Sequence, residues 1–262
     1  MNLVVCVKQT PSSEARVTVA SDRRSIEPAN TEFVLNPYDE YAVEEALRGR
    51  EKFGGTISTI SVGPTRSQEM LRHCLALGVD RALIVHQEDL IGADPHGIAS
   101  ILAAAIRPLQ ADLILCGKVA IDIENMGTGV ALAELLGLPH VSVASKVEWT
   151  DEKHLRVHRE IEGACEVVEV ELPAVLTAEK GLNEPRYPKL PGIMKAKKKP
   201  IEELGSDALG IDPTKVGTQA ARLETTRMDP PPPRAEGKKY TGEPAESVRQ
   251  VLAALRDERK LL

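Results

Sequence analysis

The grouping of residues best suited to holding an anion is GKVAIDIENMGTG, Gly117 to Gly129. Small residues there let backbone N–H groups approach a phosphate, and a helix opening at the end of the run adds a partial positive charge. Spacing alone leaves two readings open: a phosphate or nucleotide cradle, or a Gly-rich turn with a purely structural role. It is not a P-loop, since GxxxxGK[ST] is absent, and GxGxxG does not occur in the chain. His154 and His158 have the HxxxH spacing of a helical metal pair, but their neighbours alternate as a strand does. Four strand residues span about 13 Å, too far for one ion between two imidazoles, so no metal site is expected. HExxH and GxSxG are absent too, and no catalytic residues are expected in this chain. The pairs Glu44-Glu45 and Glu202-Glu203 are adjacent, point in different directions and are expected to be surface charges.

Near residue 190 the chemistry suits contact rather than catalysis. Lys195, Lys197, Lys198 and Lys199 form a basic cluster in an acidic protein, either a solubilising loop or an electrostatic contact. Tyr187, Pro188, Leu190, Pro191, Ile193 and Met194 precede it in a stretch dense in proline. An apolar side chain such as Leu190 either packs locally or serves as an anchor in another protein's pocket.

Positioning these residues requires a sheet edge. Leu3 to Val7, Thr56 to Val62, Ala82 to His86 and Leu113 to Cys116 are short apolar runs suited to strands covered on both faces. Helices alternate with them. Asn36-Pro37, Gly63-Pro64 and Asp94-Pro95 open three, Gly49 falls near the end of the first, Gly78 stops the second, and a fourth runs from about Asn125 to Leu136, ended by Gly137. This βαβ alternation predicts an α/β fold with a doubly wound, mostly parallel sheet, whose helix N-termini gather at the C-terminal edge where such folds bind ligands. The loops from Asn36 and Gly63 are expected at the same edge as the Gly-rich turn.

After residue 140, Val141 to Trp149, His154 to Glu160 and Cys165 to Glu171 read as an antiparallel meander, and Ala174 to Thr177 as one more strand. Residues 180–200 read as an irregular recognition loop. Residues 1–204 are expected to form the nucleotide-binding domain. Residues 205–262 are expected to form an extended Pro-rich arm ending in a helix from about Pro244 to Lys260. That helix carries one apolar stripe, Val248, Val251, Leu252 and Leu255, and a lone amphipathic helix is marginal in water, so it is expected to dock on a partner subunit.

Composition excludes whole function classes. The 262 residues are 42% hydrophobic and 27% charged, an ordinary globular balance. Lys+Arg 33 against Asp+Glu 39 leaves a net charge of −6, against a nucleic-acid binder, and Phe 2, Tyr 4 and Trp 1 leave little for base stacking. No apolar run reaches the length of a bilayer span, so no stable membrane insertion is expected. Cys6, Cys74, Cys116 and Cys165 stand apart without CxxC and read as reduced thiols. A cytoplasmic location is expected, or an organelle matrix if a presequence has been removed.

Beyond these patterns, LNEPRYPKLPGIMKAKKKPI, Leu182 to Ile201, closely resembles the signature segment of the beta subunit of electron transfer flavoproteins. The similarity takes in VKQT after the first strand, NPYDEYAVEEAL from Asn36, SVGP from Ser61, LALGVDRA from Leu75 and GKVAIDIENMGTG from Gly117, nearly the whole chain. The resemblance implies a heterodimer with an alpha subunit, carrying electrons from flavin dehydrogenases such as acyl-CoA dehydrogenases to an acceptor. It implies FAD held mainly by the alpha subunit and a structural AMP in this one. The matching AMP positions are Cys6, Asn36, Pro37, Tyr38, Asp39, Val62, Gly117, Lys118, Val119, Ala120, Ile121, Asp122, Ile123, Glu124, Asn125, Met126, Gly127 and Thr128. Tyr38 sits where family members place an aromatic near the flavin, whereas Ser13 stands where some relatives carry a tyrosine. Leu190 takes the place of the anchor leucine in the family's docking loop, with Tyr187, Pro191, Ile193 and Met194 around it. Two alternatives accompany this reading. One is a bifurcating-type member with a second FAD in place of AMP. The other is an ATP-using enzyme of the adenine-nucleotide folds, against which VKQTPSSEA, not a Gly-rich pyrophosphate loop, follows the first strand.

Overall fold

The apolar N-terminal run forms β1 (Asn2–Cys6), buried from Leu3 onward. β2 (Gln9–Pro11) and β3 (Phe33–Leu35) make a small antiparallel pair. The predicted alternation then appears as α1 (Pro37–Phe53), β4 (Thr56–Val62), α2 (Gln68–Leu77), β5 (Arg81–Val85), α3 (Pro95–Ile106), β6 (Leu113–Gly117) and α4 (Thr128–Leu136). β7 (His140–Trp149), β8 (His154–Ile161), β9 (Ala164–Glu171), β10 (Ala174–Ala178), α5 (Leu190–Ala196), β11 (Glu202–Leu204), α6 (Ser206–Leu209), α7 (Pro213–Val216) and α8 (Pro244–Ala253) follow. This computed structural model describes residues 1–90, 92–234 and 236–261.

Nine strands form one sheet in the order β11-β5-β4-β1-β6-β10-β7-β8-β9. All pairings from β11 to β7 are parallel, and β7-β8-β9 continue as the antiparallel meander. Strand order reverses between β1 and β6, the switch point at which doubly wound sheets open a crevice. Because side chains alternate along a strand, Leu3 and Val5 face the layer of α1 and α2, while Val4 and Cys6 face that of α3 and α4. Leu47, Leu71, Ile106 and Leu132 close these two layers without exposure to water. Cutting one of them back to Ala would cost about 2–5 kcal/mol.

Helix starts follow local chemistry. Asp94 caps α3, its Oδ1 accepting the Gly97 amide at 2.8 Å, and proline occupies the first turn of α1 and α3. Gly78 and Gly137 end α2 and α4 in the left-handed region, as expected of a C-cap.

Helix α1 ends at Phe53, with Gly49 near its end as read from the sequence; Gly49 serves close approach there, since a Cβ would lie 2.7 Å from Trp149 Cζ2 at the end of β7. Two elements differ from their sequence reading. Residues 190–196 are helical, not loop, since Pro191 sits in the first turn, where its missing N–H costs nothing. Residues 205–228 belong to the folded body rather than to an extended arm. The chain divides into Met1–Met228 and Asp229–Leu262, with the break at 228/229 and not at 204/205. Leu209, Ile211 and Val216 pack beside Val85, Leu90 and Ile101, and the Arg222 amide donates to Asp94 Oδ2 at 2.7 Å. In the second unit, α8 runs into a π turn over Ala254–Glu258, with Val248, Val251 and Leu252 exposed.

Candidate functional site

Parallel strands β1, β4 and β6 end together, and three segments meet at that edge: Asn36 to Asp39 opening α1, Val62 closing β4, and Gly117 to Thr128 linking β6 to α4. Cys6 lies on the same edge at the end of β1. The residues marked as cofactor positions therefore share one rim.

Asp39 joins the strands across the switch point. Its Oδ2 accepts the Lys8 amide at 2.7 Å beyond β1, and its Oδ1 accepts the Gly117 amide at 2.9 Å on β6. Burial pushes the Asp39 carboxyl up to about 7, opposed by hydrogen bonds from the Lys8 amide, the Asn36 side chain and the Gly117 amide. Asn36 shapes the loop: Nδ2 donates to the Val119 carbonyl at 2.9 Å, and Oδ1 accepts the Ile121 amide at 3.3 Å. Lys8 Nζ reaches Asp122 at 2.7 Å and straps the loop to the end of β1.

Lys118 turns toward Glu179 in an ion pair and stands 5.6 Å from the centroid of the Tyr38 ring. Burial lowers the Lys118 pKa, but the hydrogen bond and charge of Glu179 outweigh it and leave it raised, so the ammonium stays charged. Cys6 and Cys116 lie side by side on β1 and β6. Hydrogen bonding to Cys116, then burial, raises the Cys6 thiol well above its ordinary value and makes it a poor nucleophile. At the far end of the loop Ile123 and Met126 are exposed, and Glu124 and Met126 take positive φ. The first amides of α4 have no intrahelical acceptor, and a Cβ on Gly127 would stand in ordinary contact with the Asn125 carbonyl oxygen at 3.7 Å. Ser61 Oγ, one residue before Val62, is buried with no hydrogen-bond partner among the described residues. Helix-opening amides and a buried hydroxyl without a partner among the described residues, both at one rim, fit an anionic group.

Lys8, Ser61 and Glu179 were not singled out as site residues from sequence. Lys8 and Ser61 fall within the quoted runs VKQT and SVGP, whereas Glu179 is linked to Lys118 only through the β6-β10 pairing. His154 and His158 lie on β8, His154 beside Asp151 at 2.9 Å.

Away from the edge, the contact residues cluster on the segment 182–200. Tyr187, Leu190, Pro191, Ile193 and Met194 are exposed, while Leu182, Asn183 and Ala196 are buried. Lys195, Lys197 and Lys198 are exposed, but Lys199 turns inward and donates from Nζ to the Val79 carbonyl at 2.7 Å. The pair expected at the surface, Glu44-Glu45, is buried instead. Glu44 accepts from Arg48 and Arg186, and Glu45 accepts Trp149 Nε1 at 2.9 Å and Asn183 Nδ2 at 3.2 Å, so partners replace lost water. Burial raises the Glu45 carboxyl against those two hydrogen bonds.

Comparison with known proteins identifies the relatives of this chain. A family model described as the electron transfer flavoprotein domain matches residues 25–209. The electron transfer flavoprotein subunit beta of Bacillus subtilis (strain 168) is 40% identical over 263 residues, covering 100% of both chains. That of Bradyrhizobium diazoefficiens is 38% identical over 263 residues, with the same coverage. The caffeyl-CoA reductase-Etf complex subunit CarD of Acetobacterium woodii is 33% identical over 264 residues, again covering 100% of both. Similarity over the full length, with the family model over residues 25–209, means that this chain belongs to the beta-subunit family of electron transfer flavoproteins.

Proposed function

We propose that the chain is the beta half of a heterodimeric electron carrier, with AMP in the cradle at the sheet edge and FAD held mainly by an alpha subunit. The observation that carries this reading is the convergence of Asn36 to Asp39, Val62 and Gly117 to Thr128 on one rim at the switch point. FAD, bound by the assembled pair, supplies the electron-accepting ring. This chain's residues hold and orient. The opening amides of α4 would receive phosphate oxygens, while Asn36 keeps the loop in register and Asp39 keeps the ends of β1 and β6 together. Tyr38 would stand near the flavin, as the family resemblance implies, and the chain itself would carry out no bond-making step.

In the same proposal, Leu190, with Tyr187, Pro191, Ile193 and Met194, docks flavin dehydrogenases such as acyl-CoA dehydrogenases, and the apolar stripe of α8 docks on the alpha subunit. Exposed apolar side chains at both places support this reading. A tethered partner can then sample orientations while the redox group comes within range. A second reading, FAD in place of AMP, is kept because CarD of a caffeyl-CoA reductase-Etf complex matches over the full length.

The two readings separate on one preparation. Nucleotides released by acid from the purified heterodimer should be one FAD and one AMP. Two FAD would establish the second reading, and a colourless assembly without nucleotide would overturn both. ATP consumption by the isolated chain would point to a different, ATP-using enzyme. No helix among the described residues is long and apolar enough to cross a membrane. A cytoplasmic or matrix location remains part of the proposal, alongside the 37% identity to an Oryza sativa subunit named as mitochondrial.

A further inference from the structure

Segment 182–200 is fastened to the body at both ends by charged and amide groups that neither nucleotide binding nor electron transfer uses. At its start the Arg186 guanidinium lies across two carboxylates of α1. Nε and Nη2 meet the two oxygens of Glu44 at 2.8 and 3.0 Å, Nη2 meets Glu51 Oε2 at 3.2 Å, and Nη1 pairs with Glu51 Oε1. The Arg186 amide also donates to Glu44, and Asn183 Nδ2 donates to the Tyr41 carbonyl at 3.0 Å. At the far end Arg72 Nη1 donates to the Ala196 carbonyl at 2.7 Å, and Lys199 Nζ to Val79. Between these fixings α5 lies against the end of α2 so closely that a Cβ on Gly192 would come within 2.3 Å of the Ala76 carbonyl oxygen.

What is held this firmly is held apolar side out. Leu190 is 72% exposed and Tyr187 91%, with Met194 beside them. A surface segment left to itself would turn such side chains inward, so fastening both ends keeps them in water. We propose that Arg186, acting through Glu44 and Glu51, is a positioning residue that holds the docking segment in its partner-ready shape before the partner arrives. The proposal rests on the reading of Leu190 as a docking anchor. A segment that spends only a fraction of its time in the competent shape binds more weakly by that fraction, and an Arg fork on two carboxylates fixes direction as a lysine point charge does not.

The test uses the flavin-loaded heterodimer as electron acceptor for a purified acyl-CoA dehydrogenase, with the dehydrogenase's KM for the heterodimer and kcat measured separately. Arg186→Ala is expected to raise KM about tenfold with kcat unchanged, and Arg186→Lys to recover only part of the loss. Glu51→Gln removes the outer half of the clamp without leaving a buried charge unpaired, and is expected to raise KM about threefold. It keeps the test open if Arg186→Ala fails to fold. Amide hydrogen exchange over 187–197 should quicken in the same variants while flavin content stays constant. Wild-type KM in Arg186→Ala and Glu51→Gln beside a raised KM in Leu190→Ala overturns the clamp alone. Wild-type KM in Leu190→Ala overturns the docking reading and the clamp with it.

Discussion

The Gly117 amide donates to Asp39 Oδ1 at 2.9 Å, and a Cβ at position 117 would stand 2.4 Å from that same oxygen. Any larger residue on β6 would drive the carboxylate from the amide it serves, because no flexible neighbour can give way. Gly117→Ala is therefore expected to cost about 1–3 kcal/mol by overpacking and to lower the nucleotide content of the purified heterodimer. Denaturant midpoints and acid-released nucleotide check both. Full retention of nucleotide would show that the rim tolerates the shift.

Asp39 also sets a pH dependence. Its carboxyl ionises near 3.8 when exposed and at about 7 in the fold, where burial is the cause. Between those values the folded state holds the proton that the unfolded state has lost, so stability from this group is fullest below about pH 4 and falls as pH rises to about 7. The loss is on the order of 4 kcal/mol. Asp39→Asn should flatten the unfolding midpoint across this interval relative to the parent chain, with Glu40 and Glu45 unchanged in both. Identical slopes would contradict the assignment.

Leu190→Ala should remove roughly 2 kcal/mol of anchor burial and slow electron delivery from an acyl-CoA dehydrogenase. Thermal stability and flavin content should not change, because the side chain has little to lose within its own fold. Stopped-flow reduction of the heterodimer measures the effect, and unaltered kinetics would remove Leu190 from the docking role.

Ending the chain at Gly242 deletes α8 with Val248, Val251 and Leu252. Co-purification with the alpha subunit should weaken, since an apolar stripe of this kind gains its stability by docking. Undiminished co-purification would leave the stripe without that task.

Local pattern revealed the main sheet and its helices because alternation along strands and the 3.6-residue stripe are both short-range signals. Asp94-Pro95 is a clear case: cap, proline and stripe all fall within one turn of one another. The Gly117 to Thr128 turn was legible for the same reason, as a strand, a small-residue loop and a helix in sequence. Long-range partners were not legible. Glu44 and Glu45 look like surface acids until Arg186 and Asn183, 142 and 138 residues away, close on them. The body's hold on residues 205–228 depends on Asp94, 128 residues before Arg222. The packing role of Gly49 was hidden because nothing nearby in the chain announces the Trp149 ring.

Helix α1 carries Asp39 at the sheet-edge rim and Glu44 beneath residues 182–200, five residues and about 7–8 Å apart along one rigid axis. Cradle and hook are thus mounted on a common spar. A tilt of that spar cannot stay private to either end, so in the proposed function ligand loading and partner grip would share one mechanical reference within the subunit.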